Sequence, residues 1–326
     1  MKRLFLIFLI VLPMLAVSQP KIIFDTDFGG DADDLGALVM LNHLVNKGEC
    51  EVLAVMCWNV EPYAVSAIDA VNRFYGNPEI PIGARKDHGD YLQWQHTKVI
   101  ADQFPHSLRV GDVEESTALY RKLLAEAEEG SITIVTVGPL SNIQRLLDSA
   151  PDEHSPLSGN ELIVKKVKEF AIMGGQFPSG KKEWNFDGDM PGVTMDVLSK
   201  LTVPITFSGF ELGVSIKSGE VFNEIDQNTP LYVGFRHFSE FCPWLNDQYE
   251  GKIYDNATFD QTAVLYAVRG GVGDYWERIG GGYCQPDSVG GNGWAEDPTS
   301  NQSYLKLLWE TERMAGHIED LMTNNF

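Results

Sequence analysis

The sequence predicts an α/β fold: a single domain with a mostly parallel sheet and helices on both faces. Three observations predict it. Short apolar runs rich in β-formers alternate with segments of helical periodicity along the chain, and that alternation implies a mostly parallel sheet. The residues that follow these runs are repeatedly Asp, Asn, Glu and Gly, as suits the carboxyl edge of a parallel sheet, where such folds hold ligands. No repeat, low-complexity tract or linker-like stretch divides the chain.

The chain opens with MKRLFLIFLIVLPMLAVSQP, in which Lys2 and Arg3 precede an apolar run and Ala16-Val17-Ser18 forms a small-x-small site before Gln19. This is the pattern of a cleaved secretory leader; the run is short for a spanning helix, and Pro13 interrupts it. Residues 1–18 are therefore read as a signal peptide and 19–326 as the domain, exported to the periplasm or secreted. No later segment is apolar for long enough to cross a membrane. With 326 residues and 44% apolar content, the chain has material for a sizeable core. Without Lys2 and Arg3 the basic count falls from 25 to 23 against 46 acids, moving the formal net charge from −21 to −23. Such a chain repels nucleic acid and anionic membranes, and suits small neutral ligands and divalent cations. Cys50, Cys57, Cys242 and Cys284 form no C-x-x-C pair, so they are expected as buried free thiols rather than zinc ligands.

Strands are expected at residues 22–27, 52–58, 132–138, 170–174 and 204–210. Between the first two, Leu35, Leu38, Asn42 and Val45 mark one helix face; residues 65–74, 116–128, 140–147 and 194–201 have the same character. Longer loops are expected at 88–111, 151–161 and 270–298, the last so rich in Gly that it reads as a flexible flap. Ser141-Asn142 and Asp189 read as helix caps.

The stretch 25–34, DTDFGGDADD, places Asp25, Asp27, Asp31, Asp33 and Asp34 at the end of the first strand. Carboxylates so gathered repel one another unless a cation offsets them. Oxygen donors without Cys or a His pair favour a hard ion, Ca²⁺ or Mg²⁺, and export favours Ca²⁺. A capped helix start in an acidic turn accounts for one or two of the aspartates, since the helix dipole favours negative charge there, but not for five. An EF-hand is excluded: a strand precedes the stretch, and its twelfth residue is Gly36 rather than Glu. A phosphatase using Asp25 as nucleophile expects Gly and Thr directly after Asp27, where Phe28 and Gly29 stand.

Together with the later strand ends, this stretch resembles the inosine/uridine-preferring nucleoside hydrolase family over nearly the whole mature chain. Asp25-Thr26-Asp27-Phe28-Gly29-x-Asp31-x-Asp33-Asp34 is similar to the family's calcium signature, and Trp58-Asn59-Val60 stands where it has a ribose-contacting Asn. Val137-Gly138-Pro139-Leu140-Ser141-Asn142 resembles its central turn. Met173-Gly174-Gly175 and Glu183-Trp184-Asn185-Phe186 resemble its ribose-binding segment, and Phe259-Asp260-Gln261 its late helix. The resemblance implies a nucleoside hydrolase-like open sheet and hydrolysis of an N-ribosyl bond through an oxocarbenium-like transition state. It implies Ca²⁺ held by Asp27, Asp34, the Val137 carbonyl and Asp260, with Asp33 as general base. It further implies ribose contacts from Asn59, Met173, Glu183 and Asn185, with Asp25 in support from behind, a small nucleoside or ribosyl substrate, and a homo-oligomer.

Two departures stand out. The opening aspartates lie two residues further apart than in the best-known members, which makes Asp31 an additional carboxylate, either a ligand, a supporting group or a loop charge. The family's His before the late Asp, the acid that protonates the departing base, is Phe259 here. Replacements to look for are His88, His96 or His237 as acid, Trp58, Trp184, Trp244 or Trp294 as a stacking platform, or a substrate whose leaving group departs more readily than a nucleobase. The alternative function is a non-catalytic exported receptor that holds ribose-like ligands on the same calcium site.

Overall fold

In the computed structural model, residues 19–188 and 191–325 are described; the expected leader and the cap at Asp189 lie outside them. The chain runs from β1 (Lys21–Thr26) into α1 (Ala32–Asn46), β2 (Glu51–Cys57), α2 (Ala64–Phe74), β3 (Ile82–Ala84), α3 (Thr97–Gln103), β4 (Glu114–Glu115), α4 (Ser116–Glu126) and β5 (Ile132–Thr136). It continues through α5 (Ser141–Leu147), α6 (Gly159–Lys166), β6 (Val167–Met173), β7 (Ser179–Gly180), α7 (Trp184–Asp187), α8 (Val193–Lys200), β8 (Ile205–Ser208), α9 (Phe210–Gly213) and β9 (Lys217–Ser218). The last third holds α10 (Pro230–Phe241), β10 (Asn256–Ala257), α11 (Phe259–Arg269), β11 (Trp276–Pro286), β12 (Asn292–Glu296), β13 (Gln302–Leu307) and α12 (Thr311–Thr323).

One sheet has the order β4-β3-β2-β1-β5-β6-β8-β13-β11-β12-β7. Pairing is parallel from β4 to β13 and antiparallel beyond it. Because successive side chains on a strand point to opposite faces, β1 feeds two cores. Ile22 and Phe24 pack with α1, α2, α10, α11 and α12, while Ile23 packs with α4, α5, α6 and α8. Helices thus cover both faces, as expected.

The five expected strands are β1, β2, β5, β6 and β8, each within three positions of its predicted ends. Three loop expectations change. The segment 88–111 contains α3, and 151–161 runs into the start of α6. Residues 270–298 are not a flap: they form β11 and β12, anchored by buried Trp276 and Cys284. Their glycines serve a β-bulge. The register shifts between Ile279 and Gly282, and Gly281 sits at φ 73°, a backbone that side chains rarely adopt. All four cysteines are buried and free. Among the described residues, no helix is long and apolar enough to cross a membrane.

Candidate active site

The carboxyl ends of β1, β2, β5 and β6 meet the N-termini of α1 and α11 around one cavity of about 590 Å³. Asp33 and Asp34 lie in the first turn of α1 and Asp260 in that of α11. Carboxylate oxygens of these three buried residues lie within 4.8 Å of one another. Asp33 Oδ2 accepts from the Asp260 N–H at 3.3 Å, its Oδ1 accepts from the Asp34 N–H at 3.2 Å, and Asp34 Oδ1 accepts from the Thr26 hydroxyl. Two helix N-termini aimed at one acidic floor offset part of its repulsion.

Asp27 lines the same cavity but stands outside this tight trio; its Oδ2 accepts from Trp184 Nε1 at 3.3 Å. Close approach of the β1 and β5 ends depends on Gly138, where a Cβ would sit 2.9 Å from both the Cβ and the N of Asp27. The carbonyls of Val137 and Met173 both accept from Asn185 Nδ2, at 2.9 and 3.2 Å, so Asn185 ties the ends of β5 and β6 together. Asn59 braces the turn after β1, donating to the Asp27 and Phe28 carbonyls at 3.4 and 3.3 Å. Glu183 caps α7: its carboxylate accepts from the N–H groups of Gly175, Asn185 and Phe186. Burial pushes the Glu183 carboxyl up to about 7 in spite of those three donors.

Asp25 lies behind the cavity wall, where its carboxylate accepts from the Tyr120 hydroxyl at 2.7 Å and Asn142 Nδ2 at 3.1 Å. The expected cap at Ser141-Asn142 is not formed. Leu140 is the N-cap residue of α5, Ser141 Oγ accepts from Trp58 Nε1 at 2.8 Å, and Asn142 serves Asp25 instead. Asp31 borders the cavity and is the N-cap of α1. Its backbone is extended, and its Oδ1 accepts from the Ala32 N–H at 2.6 Å and from Asn256 Nδ2. An N-cap aspartate contributes about 1 kcal/mol. Asp31→Ala removes this cap and the acceptor of Asn256. Burial, however, holds the Asp31 carboxyl up at about 6, and its charge repels Asp33. The unfolding free energy is therefore expected to fall by about 1 kcal/mol at pH 5 and by less at pH 8, where more of that charge is present. Urea denaturation checks this; an unchanged midpoint at pH 5 would show that the cap contributes nothing.

Burial, and after it the charges of Asp31 and Asp27, holds the Asp33 carboxyl well above the usual range. Asp34 and Asp260 are raised in the same way, by burial first and by neighbouring carboxylates second. Among the described residues, none of the three forms an ion pair with Lys or Arg. An all-oxygen donor set, buried and short of positive charge, fits a hard divalent cation.

The cavity's other wall is aromatic. Trp58, Trp184 and Trp244 line it, as expected of platforms, together with Phe210 and Phe259, whose rings stack at 5.1 Å. Trp294 does not line it: its ring packs against Phe177 and Tyr304 in the second core. None of the three expected imidazoles lines the cavity either. His88 is exposed, His237 Nε2 bonds to the Gln93 carbonyl at 2.8 Å, and His96 is fully buried edge-on to Phe28. Burial drives the His96 imidazole down to about 3. Sequence reasoning missed Asp90, Leu92, Trp94 and Gln95, which reach the cavity from the segment before α3, and Lys182 beside Glu183. For Leu92, Trp94 and Gln95 the only signal was the aromatic and polar mixture YLQWQ within a long loop.

The family model for inosine-uridine preferring nucleoside hydrolases matches residues 22–316. Among solved structures, a plant nucleoside hydrolase, PpNRh1, superposes with a TM-score of 0.69 at 18% identity, covering 94% of this chain and 99% of its own. The inosine-uridine preferring nucleoside hydrolase of Bacillus anthracis gives 0.64 at 16% identity, covering 93% and 99%. The type III effector protein XopQ, solved with adenosine diphosphate ribose, gives 0.63 at 12% identity, covering 94% and 93%. No curated protein sequence matches this chain. At these identities the superpositions speak for the fold, while the family model spans nearly all of the described residues. This chain therefore belongs to the inosine-uridine preferring nucleoside hydrolase family.

Proposed function

We propose that this nucleoside hydrolase is an exported, calcium-dependent enzyme that cleaves the N-glycosidic bond of a ribonucleoside or related ribosyl compound with Asp33 as base. The observation that carries the reading is the buried trio Asp33, Asp34 and Asp260, which has no basic partner among the described residues. Asp27, Asp34, Asp260 and the Val137 carbonyl are the proposed ligands, drawn from the ends of β1 and β5 and the starts of α1 and α11. A hard divalent cation, when bound, supplies polarisation of water and of the sugar hydroxyls.

The chain's own groups do the remaining work. Asp33 takes the proton; burial and its acidic neighbours raise its proton affinity above that of an ordinary carboxylate, and a cation held beside it opposes that rise. Asn59, Met173, Glu183 and Asn185 edge the same cavity and orient the ribose. The acidic floor stabilises positive charge developing at the anomeric carbon. The leader-like N-terminus supports export, where Ca²⁺ is available.

Base release from a panel of ribonucleosides, followed by chromatography, tests the proposal. Turnover is expected to vanish on chelation, to return with Ca²⁺, and to be lost in Asp260→Ala. Ribose or nucleoside binding without turnover of any glycoside would overturn it in favour of a receptor.

A further inference from the structure

Among the described residues, the aromatic wall beside the acidic floor carries no imidazole that could protonate a departing group. When a neutral nucleoside is cleaved, the C–N electron pair leaves on the base as an anion, and a general acid at a basic ring nitrogen or carbonyl of that base is worth roughly 10²–10⁴-fold. Phe259 and its stacking partner Phe210 offer only ring carbon. Among the lining residues outside the acidic floor, Asp90, Lys182 and Glu183 are the ones with a carboxyl or amino group. Lys182 Nζ pairs with Asp187 at 2.7 Å, and both Glu183 oxygens accept from backbone N–H groups, Oε1 from Asn185 and Oε2 from Gly175 and Phe186.

The same wall is built to receive positive charge. Trp184 is 61% exposed and Trp244 55%, so both present uncovered ring faces, with Trp94 edge-on to Trp244 at 5.5 Å. Trp58 is already taken by the Arg85 guanidinium, 5.1 Å over its ring, so the rings left for a ligand cation are Trp184 and Trp244. A formal net charge of −21 draws cations towards the protein.

We propose that the preferred substrates carry a leaving group that is cationic before it departs: N-ribosyl pyridinium compounds, or ribosides of other quaternised nitrogen heterocycles. The proposal rests on the hydrolase reading above and narrows its substrate class. Water oxygen bonds to the anomeric carbon as the C–N bond breaks. The C–N pair moves onto the ring nitrogen and cancels its charge, and the proton of water passes through Asp33 to solvent. The heterocycle leaves neutral, and no acid is needed. Positive charge migrates during the step from the aromatic wall towards the carboxylate floor, so the rings contribute to binding and the carboxylates to the rate.

The test compares kcat/KM for 1-(β-D-ribofuranosyl)-3-carbamoylpyridinium with that for inosine and uridine, using the full chain loaded with Ca²⁺. A preference for the pyridinium of about 10²-fold or more is expected, the lower end of what an acid contributes. In a series of substituted pyridinium ribosides, kcat should fall as the departing pyridine becomes more basic. Phe259→His, which places an imidazole on the wall, should narrow the preference by raising inosine turnover. A smaller preference in the wild-type enzyme overturns the inference, as does inosine turnover that collapses in Asp90→Asn, which would make Asp90 the acid. Failure to hydrolyse either class is a separate result, because it overturns the hydrolase reading itself.

Discussion

Asp33→Asn is expected to lower kcat for N-ribosyl hydrolysis by about 10²–10⁴-fold, with a far smaller change in KM. The substitution conserves volume and keeps one side-chain oxygen to accept from the Asp260 N–H that Asp33 Oδ2 now receives at 3.3 Å, at the cost of the partner of Oδ1, the Asp34 N–H at 3.2 Å. It removes the ability to take a proton. Neighbouring aspartates do not replace it, because Asp34 is engaged by the Thr26 hydroxyl and Asp260 lies across the trio on α11. Steady-state kinetics checks this, with ribose titration calorimetry alongside. A variant that keeps its kcat but loses affinity for Ca²⁺ would make Asp33 a ligand rather than the base, an arrangement its place within the 4.8 Å trio makes worth excluding directly.

Ca²⁺ is expected to raise the melting temperature by several degrees, and by more at pH 8 than at pH 5. Burial and mutual repulsion lift the folded-state pKa values of Asp33, Asp34 and Asp260 well above that of an unfolded aspartate, about 3.9. A carboxylate raised in this way contributes stability that is fully present below the unfolded value and is lost as pH rises through the folded one. Without a cation, the three groups therefore weaken the fold progressively towards neutral and alkaline pH. An ion that binds only their charged forms offsets more as more of that charge appears. At a hundredfold excess over its dissociation constant a ligand contributes about 2.7 kcal/mol, and in a chain of this size each kcal/mol moves the transition by about 1.5 °C. Differential scanning calorimetry with Ca²⁺ and with chelator across that range measures the effect. A gain that stays flat with pH would detach the cation from these carboxylates.

Much of the sheet was legible in the sequence because its central strands are buried on both faces. β1, β2, β5, β6 and β8 read as short apolar runs for that reason. The antiparallel end did not, since β11 and β12 carry glycines at their bulge and turn, and Gly reads as loop when no partner strand is visible. On the site's floor, each expected residue follows a strand or opens a helix, so local pattern located it. The aromatic wall is different. Trp94 and Trp244 meet only because α3 packs on α10, and no spacing in the sequence encodes that contact. Asp31 illustrates the same limit: its charge alone left a ligand, a supporting group and a loop charge open, and the extended backbone before α1 makes it a cap.

The hydrogen bond between Asp260 and Asp33 joins residues 227 positions apart, with most of the sheet threaded between them. Bringing two such distant points together in an unfolded chain carries an entropic cost that rises with the logarithm of the separation. A ligand gripping both sides would work as a reversible cross-link between the first helix of the domain and one of its last. Such a clasp exists only while the polypeptide between α1 and α11 is whole and folded. A cut in the stretch joining α10 to α11, followed by dissociation of the pieces, would separate its two halves, so ion affinity would also serve as a gauge of chain integrity.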